Sequence, residues 1–331
     1  MTGQTMDAAA RAFGGSPELR ELPDTGTPRH HPTGHSNPSG VSILAAEDRQ
    51  RLLRKEREIA ARHIGAPAWG YTVFTLSGFA LWVALFPLAA TGAMPLWLCF
   101  ILSTVLATGG YVPCHEAMHN NIARKGSRHY WLNELVGQVS TIPLICPYSM
   151  ARVMHLEHHY HCNDPMRDPD YPDAAPNALK AIFKTWLNRQ PRNGGAMHNY
   201  KRILAELGTP AAKRAERDTV ILQLAAMGFF FAMAWGGYAL VIAAVWWLPR
   251  HIALSYIRFY LSWAPHHPRQ DKARYGNTRP FKSSLGNILS LGMQYHVVHH
   301  LYPGIPIHRT RPAYYEMRDI LAARGVDVTA L

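Results

Sequence analysis

The chain has 331 residues, of which 48% are hydrophobic, and a formal net charge of +12; this length allows one or two domains. A mean hydropathy of −0.13 is typical of soluble proteins, but here a polar N-terminal region masks several long apolar segments. No recognisable nucleic-acid-binding module is present, and the basic residues flank the apolar segments, as in the positive-inside pattern of membrane proteins. The charge therefore favours a membrane over a nucleic acid as the partner.

The N-terminal region precedes the apolar segments and differs from them in composition. Residues 1–45 are rich in glycine, proline and serine, and are predicted to be a disordered N-terminal tail. Residues 46–63 combine many charges with good helix formers, which predicts an amphipathic helix. Its arginines precede the first apolar segment and place this end on the cytoplasmic side.

The first two apolar segments predict a membrane hairpin. Residues 69–90 carry no charge and are long enough to span a bilayer, and residues 94–112 return the chain to the cytoplasmic side. Residues 131–150 are apolar but interrupted by polar residues and prolines, so we interpret them as interfacial or re-entrant. Residues 172–217 are charged and predicted to be helical outside the membrane.

A second hairpin is predicted across residues 219–263. Residues 220–248 are uncharged, and one helix of that length would measure about 44 Å, against roughly 30 Å of hydrocarbon. Either Gly236-Gly237 or Pro249-Arg250 marks the bend. The sequence thus predicts an all-α integral membrane protein with about four transmembrane helices and a cytoplasmic helical cap.

Eight of the 19 histidines fall in three short motifs, HEAMH at 115–119, HLEHH at 155–159 and HVVHH at 296–300. They are His115, His119, His155, His158, His159, His296, His299 and His300. Spacings of i, i+3 and i+4 place imidazoles on one face of a helix. Imidazole binds iron, zinc, copper and nickel, and eight histidines exceed the needs of one tetrahedral zinc. The pattern predicts a two-metal site built from three segments.

The four cysteines do not change this interpretation. They form no CxxC pair, which argues against a zinc ribbon or an iron–sulfur cluster. Cys114 and Cys162 border histidine motifs and are alternative ligands, but we interpret them as small buried thiols.

The three motifs, placed around two apolar hairpins, resemble those of the membrane fatty-acid desaturase and hydroxylase superfamily over roughly residues 65–315. The resemblance implies a cytoplasmic non-haem centre of two iron ions that uses O2, with these eight histidines as ligands. It also implies a ninth ligand before the last motif, His266, with His267 as the alternative. The corresponding domains are the tail at 1–45, a desaturase/hydroxylase-like domain at 46–315, and a C-terminal helix and tail at 316–331.

Carboxylates near the motifs are candidates to accept a hydrogen bond from the second ring nitrogen of a ligand histidine, because neutral imidazoles leave the metal charge uncancelled. The candidates are Glu116, Glu157, Asp164, Asp168 and Asp170. Asp164 and Asp168 each precede a proline, so turn formation is an equal alternative for them.

Within the superfamily, three stretches resemble the carotenoid β-ring hydroxylases: HCNDPMRDPD at 161–170, WAPHHP at 263–268 and QYHVVHHLYPGIP at 294–306. They imply hydroxylation of a carotenoid ring. The alternative is desaturation or hydroxylation of a fatty-acyl lipid, although Ser262 stands where some acyl desaturases have asparagine. No cytochrome b5 motif is present, which implies a separate electron donor such as ferredoxin.

A membrane metal transporter is the hypothesis from another functional class. Transport sites need polar groups within the spans, near the membrane midplane. The histidine motifs here lie just outside the predicted spans, which disfavours transport.

Overall fold

Four helices are long and apolar enough to cross a membrane, among the residues that the computed structural model describes, 46–65, 68–190 and 195–331. They cover Trp69–Ala90, Leu96–Met118, Pro210–Trp235 and Ala239–Trp263. At 1.5 Å per residue each is about 33 to 39 Å long, enough for a 30 Å hydrocarbon layer. The prediction of an all-α integral membrane protein with about four transmembrane helices is confirmed. The tail predicted at residues 1–45 lies outside the described residues.

The described part of the chain contains helices and no strand. The helices are α1 Ala46–His63, α2 Trp69–Ala90, α3 Leu96–Gly109, α4 Tyr111–Met118, α5 Tyr130–Thr141, α6 Tyr148–His161, α7 Ala178–Asn188, α8 Ala196–Leu207, α9 Pro210–Trp235, α10 Ala239–Ile242, α11 Leu248–Ile257, α12 Gly286–Leu289, α13 His296–Leu301 and α14 Ile307–Ala323. Two π-helical segments, Ala243–Trp247 and Arg258–Trp263, join α10 and α11 into one span and extend it.

The first hairpin is formed by α2 and by α3 continued into α4. The second crossing extends beyond residue 112, where the sequence placed its end, as far as Met118. Gly110 keeps a right-handed helical conformation, with φ −60° and ψ −21°, so the chain does not turn away before the first histidine motif. His115 therefore lies inside the last turns of this span.

The second hairpin bends at Gly236-Gly237, which resolves the choice left open by the sequence. Gly237 has φ +89°, a conformation that residues with a side chain rarely adopt. Pro249 instead lies near the start of α11, directly after a π-helical segment, and the helix continues through it. The first helix of this hairpin, α9, begins ten residues before residue 220, where Thr209 caps it by accepting a hydrogen bond from the Ala212 amide.

The segment at 131–150 does not cross the membrane as one helix. It consists of α5, a short 3₁₀ turn at Ile142–Leu144 and the start of α6. At 12 residues, α5 is about 18 Å long, too short to span a bilayer. The last two turns of α4 pack against α5 and α6, which holds the first two histidine motifs together.

The charged helix α1 packs on α14 and forms part of the cap. Glu56 is fully buried and accepts hydrogen bonds from the hydroxyls of Tyr275, at 3.0 Å, and Tyr302, at 2.8 Å. Tyr302 directly follows α13, the helix of the third histidine motif, so the buried carboxylate ties α1 to that motif. The domain boundary predicted at 315–316 falls inside α14, four of whose buried residues, Ala313, Tyr314, Met317 and Leu321, belong to the same core cluster as α13.

Candidate metal centre

The first motif lies at the end of the second span. His115 is on α4 and His119 caps its C-terminus; the two side chains are buried. The carbonyl oxygen of Ala117, between them, accepts hydrogen bonds from the Tyr148 hydroxyl at 2.7 Å and from Nδ2 of Asn133 at 2.9 Å. These bonds from α5 and α6 fix the end of α4.

The second motif occupies the last two turns of α6, as its spacing predicts. Arg152, one turn earlier, donates a hydrogen bond to Oδ1 of Asn120 at 2.9 Å. Asn120 follows His119 in a left-handed turn with φ +58°. This bond holds the second motif against the end of the first.

The third motif forms the short helix α13. It follows a 3₁₀ turn at Met293–Tyr295 that starts at Gly292, whose φ is +80°. A Cβ at Gly292 would lie 2.2 Å from the Ile307 side chain, so the close approach of α14 also requires glycine here.

His266 lies three residues after the last span and faces the second motif. Its Nε2 lies 3.2 Å from Nε2 of His158, and its Nδ1 is 3.1 Å from the carbonyl oxygen of Asn277. His267, the alternative ligand, instead stacks on the ring of Trp263. The structure thus places His266, and not His267, with the motif histidines.

The imidazoles of the three motifs and of His266 converge into two groups. The first contains His115, His119, His155 and His299; the second contains His158, Cys162, His266 and His300. In each group the ligand atoms lie within 4.8 Å of one another. His159 bridges the groups, with its Nε2 at 3.1 Å from Nε2 of both His155 and His299 and its ring stacked on that of His300. The ring of His296 packs beside those of His299 and His300.

The electrostatics of the centre suit cations. Burial lowers the pKa of His155 to about 3, and burial, followed by the repulsion of neighbouring imidazoles, lowers the pKa of His119, His159 and His299. These rings are therefore neutral at neutral pH, the form that binds metal.

Unpaired ring nitrogens also fit bound metal. Nε2 atoms of His119 and His155 face each other at 2.7 Å, an arrangement that needs a proton or a cation between two lone pairs. Both nitrogens of His115 and Nε2 of His300 are buried without a hydrogen-bond partner, which is costly unless a ligand or ion satisfies them. Two groups that each contain at least three imidazoles fit two metal ions. The ligand assignment itself stays a prediction.

Asp168 is the carboxylate that contacts the centre. It is fully buried, and its Oδ1 lies 2.8 Å from Nδ1 of His158. Burial alone would lower the pKa of His158, but the charge and hydrogen bond of Asp168 raise it overall. The bond orients the ring so that Nε2 points into the centre.

The other four candidate carboxylates bond elsewhere. Oε1 of Glu116 accepts from the Ile307 amide at 2.9 Å, and Glu157 lies 3.6 Å from His161. Asp164 pairs with Lys272 at 2.8 Å, and Asp170 pairs with Arg258 at 2.7 Å. These contacts hold the cap together but do not reach a ring nitrogen of the two groups.

Two residues contact the centre although the sequence did not predict this role for them. Arg269, whose side chain is 1% exposed, donates to Oδ2 of Asp168 at 3.3 Å and to the Ser262 hydroxyl at 2.7 Å. Sγ of Cys162 lies 3.3 Å from Nδ1 of His266, so this thiol belongs to the second group. For Cys162, the position next to the second motif was the feature that indicated a role at the centre. No sequence feature indicated such a role for Arg269.

The remaining histidines lie outside the two groups where the structure describes them. Those are His63, His129, His161, His198, His251, His267 and His308. His30, His31 and His35 lie outside the described residues.

Comparison with known proteins agrees with this geometry. A family model described as fatty acid desaturase matches residues 91–330. An sn-1 oleoyl-lipid 12-desaturase of Picosynechococcus sp. is 24% identical over 250 residues, 68% of this chain and 69% of that protein. A second sn-1 oleoyl-lipid 12-desaturase, of Synechocystis sp., is 24% identical over 321 residues, 88% of this chain and 86% of that protein.

A zeaxanthin 4-ketolase of Chlamydomonas reinhardtii is 31% identical over a shorter region of 149 residues, 40% of this chain and 33% of that protein. The region matched by the family model includes all three histidine motifs and His266. Because that region covers more than two thirds of the chain, the protein is a membrane oxidoreductase that belongs to the fatty acid desaturase family.

Proposed function

We propose that this chain uses O2 and a di-iron centre to desaturate or hydroxylate the acyl chain of a membrane lipid. The observation that carries the proposal is the convergence of nine buried or half-buried histidines, from four separate segments, beside the ends of the candidate spans. The proposed ligands are His115, His119, His155, His158, His159, His266, His296, His299 and His300.

Iron bound by these residues would supply an oxidant, derived from O2, that is able to remove hydrogen from an unactivated C–H bond. The protein orients the ligands: Asp168 holds the His158 ring, and the Asn277 carbonyl accepts from Nδ1 of His266. Burial keeps the remaining imidazoles neutral and excludes water from the reacting groups.

A small apolar groove, with a cavity volume of about 20 Å³, lies close to the first histidine motif. It lies between α2, α3 and α5 and is lined by Phe74, Thr75, Gly78, Phe79, Trp82, Leu106, Gly110, Val139, Ser140 and Pro143. Gly110 precedes His115 by five residues, or about 7 Å along the helix. The groove therefore ends within two helical turns of the first motif, in the membrane-spanning part of the protein.

The comparisons support the acyl-lipid alternative better than the carotenoid-ring hydroxylation that the sequence stretches favoured. The relatives matched over most of both chains are named for oleoyl-lipid desaturation, whereas the matches to carotenoid ketolases cover 40% of this chain or less. Carotenoid-ring oxidation is the second candidate, because a ketolase matches at higher identity over a shorter region.

The membrane orientation and the electron donor complete the proposal. The arginines of α1 precede the first span, which supports a cytoplasmic metal centre by the positive-inside pattern. We propose that electrons come from a separate protein such as ferredoxin.

The test is expression in a β-carotene-producing bacterium, with lipids and pigments from the same cells resolved by chromatography and mass spectrometry. The proposal expects acyl chains that lose two hydrogens or gain one oxygen, and a His158→Ala variant without this product. Oxygenated carotene with unchanged lipids would favour the second candidate. If neither changes although the protein is present and loaded with iron, both proposed substrates are wrong.

A further inference from the structure

The helix α7 is too short to span a membrane, yet one of its faces is apolar and exposed. Asn177 caps its start by accepting a hydrogen bond from the Lys180 amide at 3.0 Å. At positions i, i+3, i+4 and i+7 it carries Leu179, Ile182, Phe183 and Trp186, which are 81%, 47%, 60% and 48% exposed. Its buried residues, on the opposite side, are Ala181, Thr185 and Asn188.

Both ends of α7 are bonded to the last span at different heights. Nε1 of Trp263 donates to the carbonyl oxygen of Ala175, at 2.9 Å, just before α7 begins. Nη2 of Arg189, just after α7 ends, donates to the Ser255 hydroxyl at 2.8 Å. Trp263 and Ser255 are about 12 Å apart along the span, and α7 is about 16 Å long. The helix α7 therefore runs antiparallel beside the span, and its exposed face lies at the depth of the span.

A second exposed apolar element is attached at the same depth. The Tyr256 hydroxyl donates to the carbonyl oxygen of Leu289 at 2.5 Å, which fixes the short helix α12 to the residue next to Ser255. In and beside α12, Leu285, Ile288 and Leu289 are 48%, 88% and 56% exposed. Neither α7 nor α12 belongs to the four candidate spans of the described residues.

We propose that α7 and α12 are embedded in the membrane leaflet next to the metal centre, with their apolar side chains against lipid acyl chains. The occupant is lipid because both faces continue the surface of a span, where Ile252 is 46% exposed. Exposed lysines lie in or near both elements, Lys180 in α7 and Lys282 four residues before α12. A lysine beside apolar residues is the pattern of an interfacial helix that meets phospholipid headgroups. The proposed position of α7 and α12 in one leaflet does not depend on which lipid is the substrate.

The test uses the full chain in vesicles of zwitterionic and anionic phospholipids. Leu179→Cys, Phe183→Cys and Ile288→Cys are labelled one at a time with a polarity-sensitive dye. Lys125→Cys, at an exposed lysine in the loop after the first motif, is the water-facing control. The unsubstituted chain is labelled in parallel as background, because its own cysteines are buried or half-buried.

We expect brominated acyl chains to quench the dye at 179, 183 and 288 several-fold more than at 125, and dissolved iodide to show the reverse order. Equal quenching by iodide at all four positions would overturn the proposal. Protection from both quenchers, together with cross-linking of two chains through position 179, would also overturn it and identify a second copy as the cover. Phe183→Cys provides a second position on α7 if Leu179→Cys does not fold.

Discussion

Oδ1 of Asp168 lies 2.8 Å from Nδ1 of His158, which leaves Nε2 of His158 facing His266 across 3.2 Å. A buried carboxylate in this position fixes the ring orientation and raises the basicity of the nitrogen that binds metal.

The Asp168→Asn substitution keeps the shape of the side chain but removes its charge. We expect the affinity of the metal-free protein for Fe(II) to fall about 10- to 100-fold, the usual cost of losing such a partner. The control is Asp164→Asn, at a partly exposed carboxylate that pairs with Lys272. Anaerobic Fe(II) titration measures the affinity of both variants. If Asp168→Asn binds Fe(II) as tightly as the unsubstituted protein, Asp168 does not support metal binding.

His158 and His161 lie in the same helical segment but differ in surroundings. His158 is 2% exposed and faces the centre, whereas His161 is half-buried and pairs with Glu157 at the helix end. We expect His158→Ala to abolish turnover and lower bound iron, and His161→Ala to retain most of both. Metal analysis and product analysis of the purified variants check this. Full activity of His158→Ala would show that the second motif is misassigned.

Gly137 on α5 is packed directly against Tyr148. A Cβ at position 137 would lie 2.5 Å from the Tyr148 ring, and that ring cannot move freely because its hydroxyl bonds to Ala117 at 2.7 Å. Gly137→Ala should therefore destabilise the protein by about 1–3 kcal/mol, as overpacking typically does, and displace the first motif.

The matched control is Gly228→Ala on α9, where a Cβ meets no atom within 4 Å. We expect its thermal unfolding midpoint in detergent to be unchanged or slightly raised, because alanine favours a helix over glycine. Equal midpoints for the two variants would contradict the packing of α5 on α6.

The pH dependence of the metal-free protein follows from the lowered histidine pKa values. They are lowered by burial in the histidines outside the spans, His119, His155, His159, His266, His296, His299 and His300. The unfolded chain titrates near 6.5 and so binds more protons than the folded chain below that pH. Stability therefore falls as the pH falls through about 6.5.

His158 acts in the opposite direction, because its raised pKa favours the folded state in acid, but it is one group against seven. We expect the unfolding temperature of metal-free protein to drop steeply between about pH 7 and about pH 5. Scanning calorimetry of chelator-treated protein measures it. An unfolding temperature that is constant or higher in acid would contradict neutral, buried imidazoles.

Local patterns carried much of what the sequence predicted. Uncharged segments predicted the two hairpins, and the HxxHH spacing of His155, His158 and His159 predicted a shared helix face. Both patterns could be read from the sequence because each depends only on residues close together in the chain. The exact end of the second crossing was missed, because the helix continues past the uncharged segment that ends at residue 112 and includes His115 and Glu116.

The sequence could not select among the five candidate carboxylates. Asp168 contacts His158 because Asn163, with φ +64°, turns the chain at the end of α6. The backbone N–H of Asn163 then donates a hydrogen bond to Oδ2 of Asp168 at 2.8 Å. Asp164 and Asp170 stand in the same turn-rich stretch, but their partners, Lys272 and Arg258, are about a hundred residues away.

The sequence by itself determined the class of this protein. The lengths of its apolar segments predicted a helical membrane fold with four spans, and the three histidine motifs predicted imidazole metal ligands. Only the tertiary structure decided which side chains meet. The second hairpin bends at Gly236-Gly237, and His266, not His267, lies against His158. Arg269 and Cys162 also lie at the centre. The physical reason is distance along the chain. His158 and His266 are 108 residues apart, and their contact depends on how the spans pack, which no local periodicity encodes.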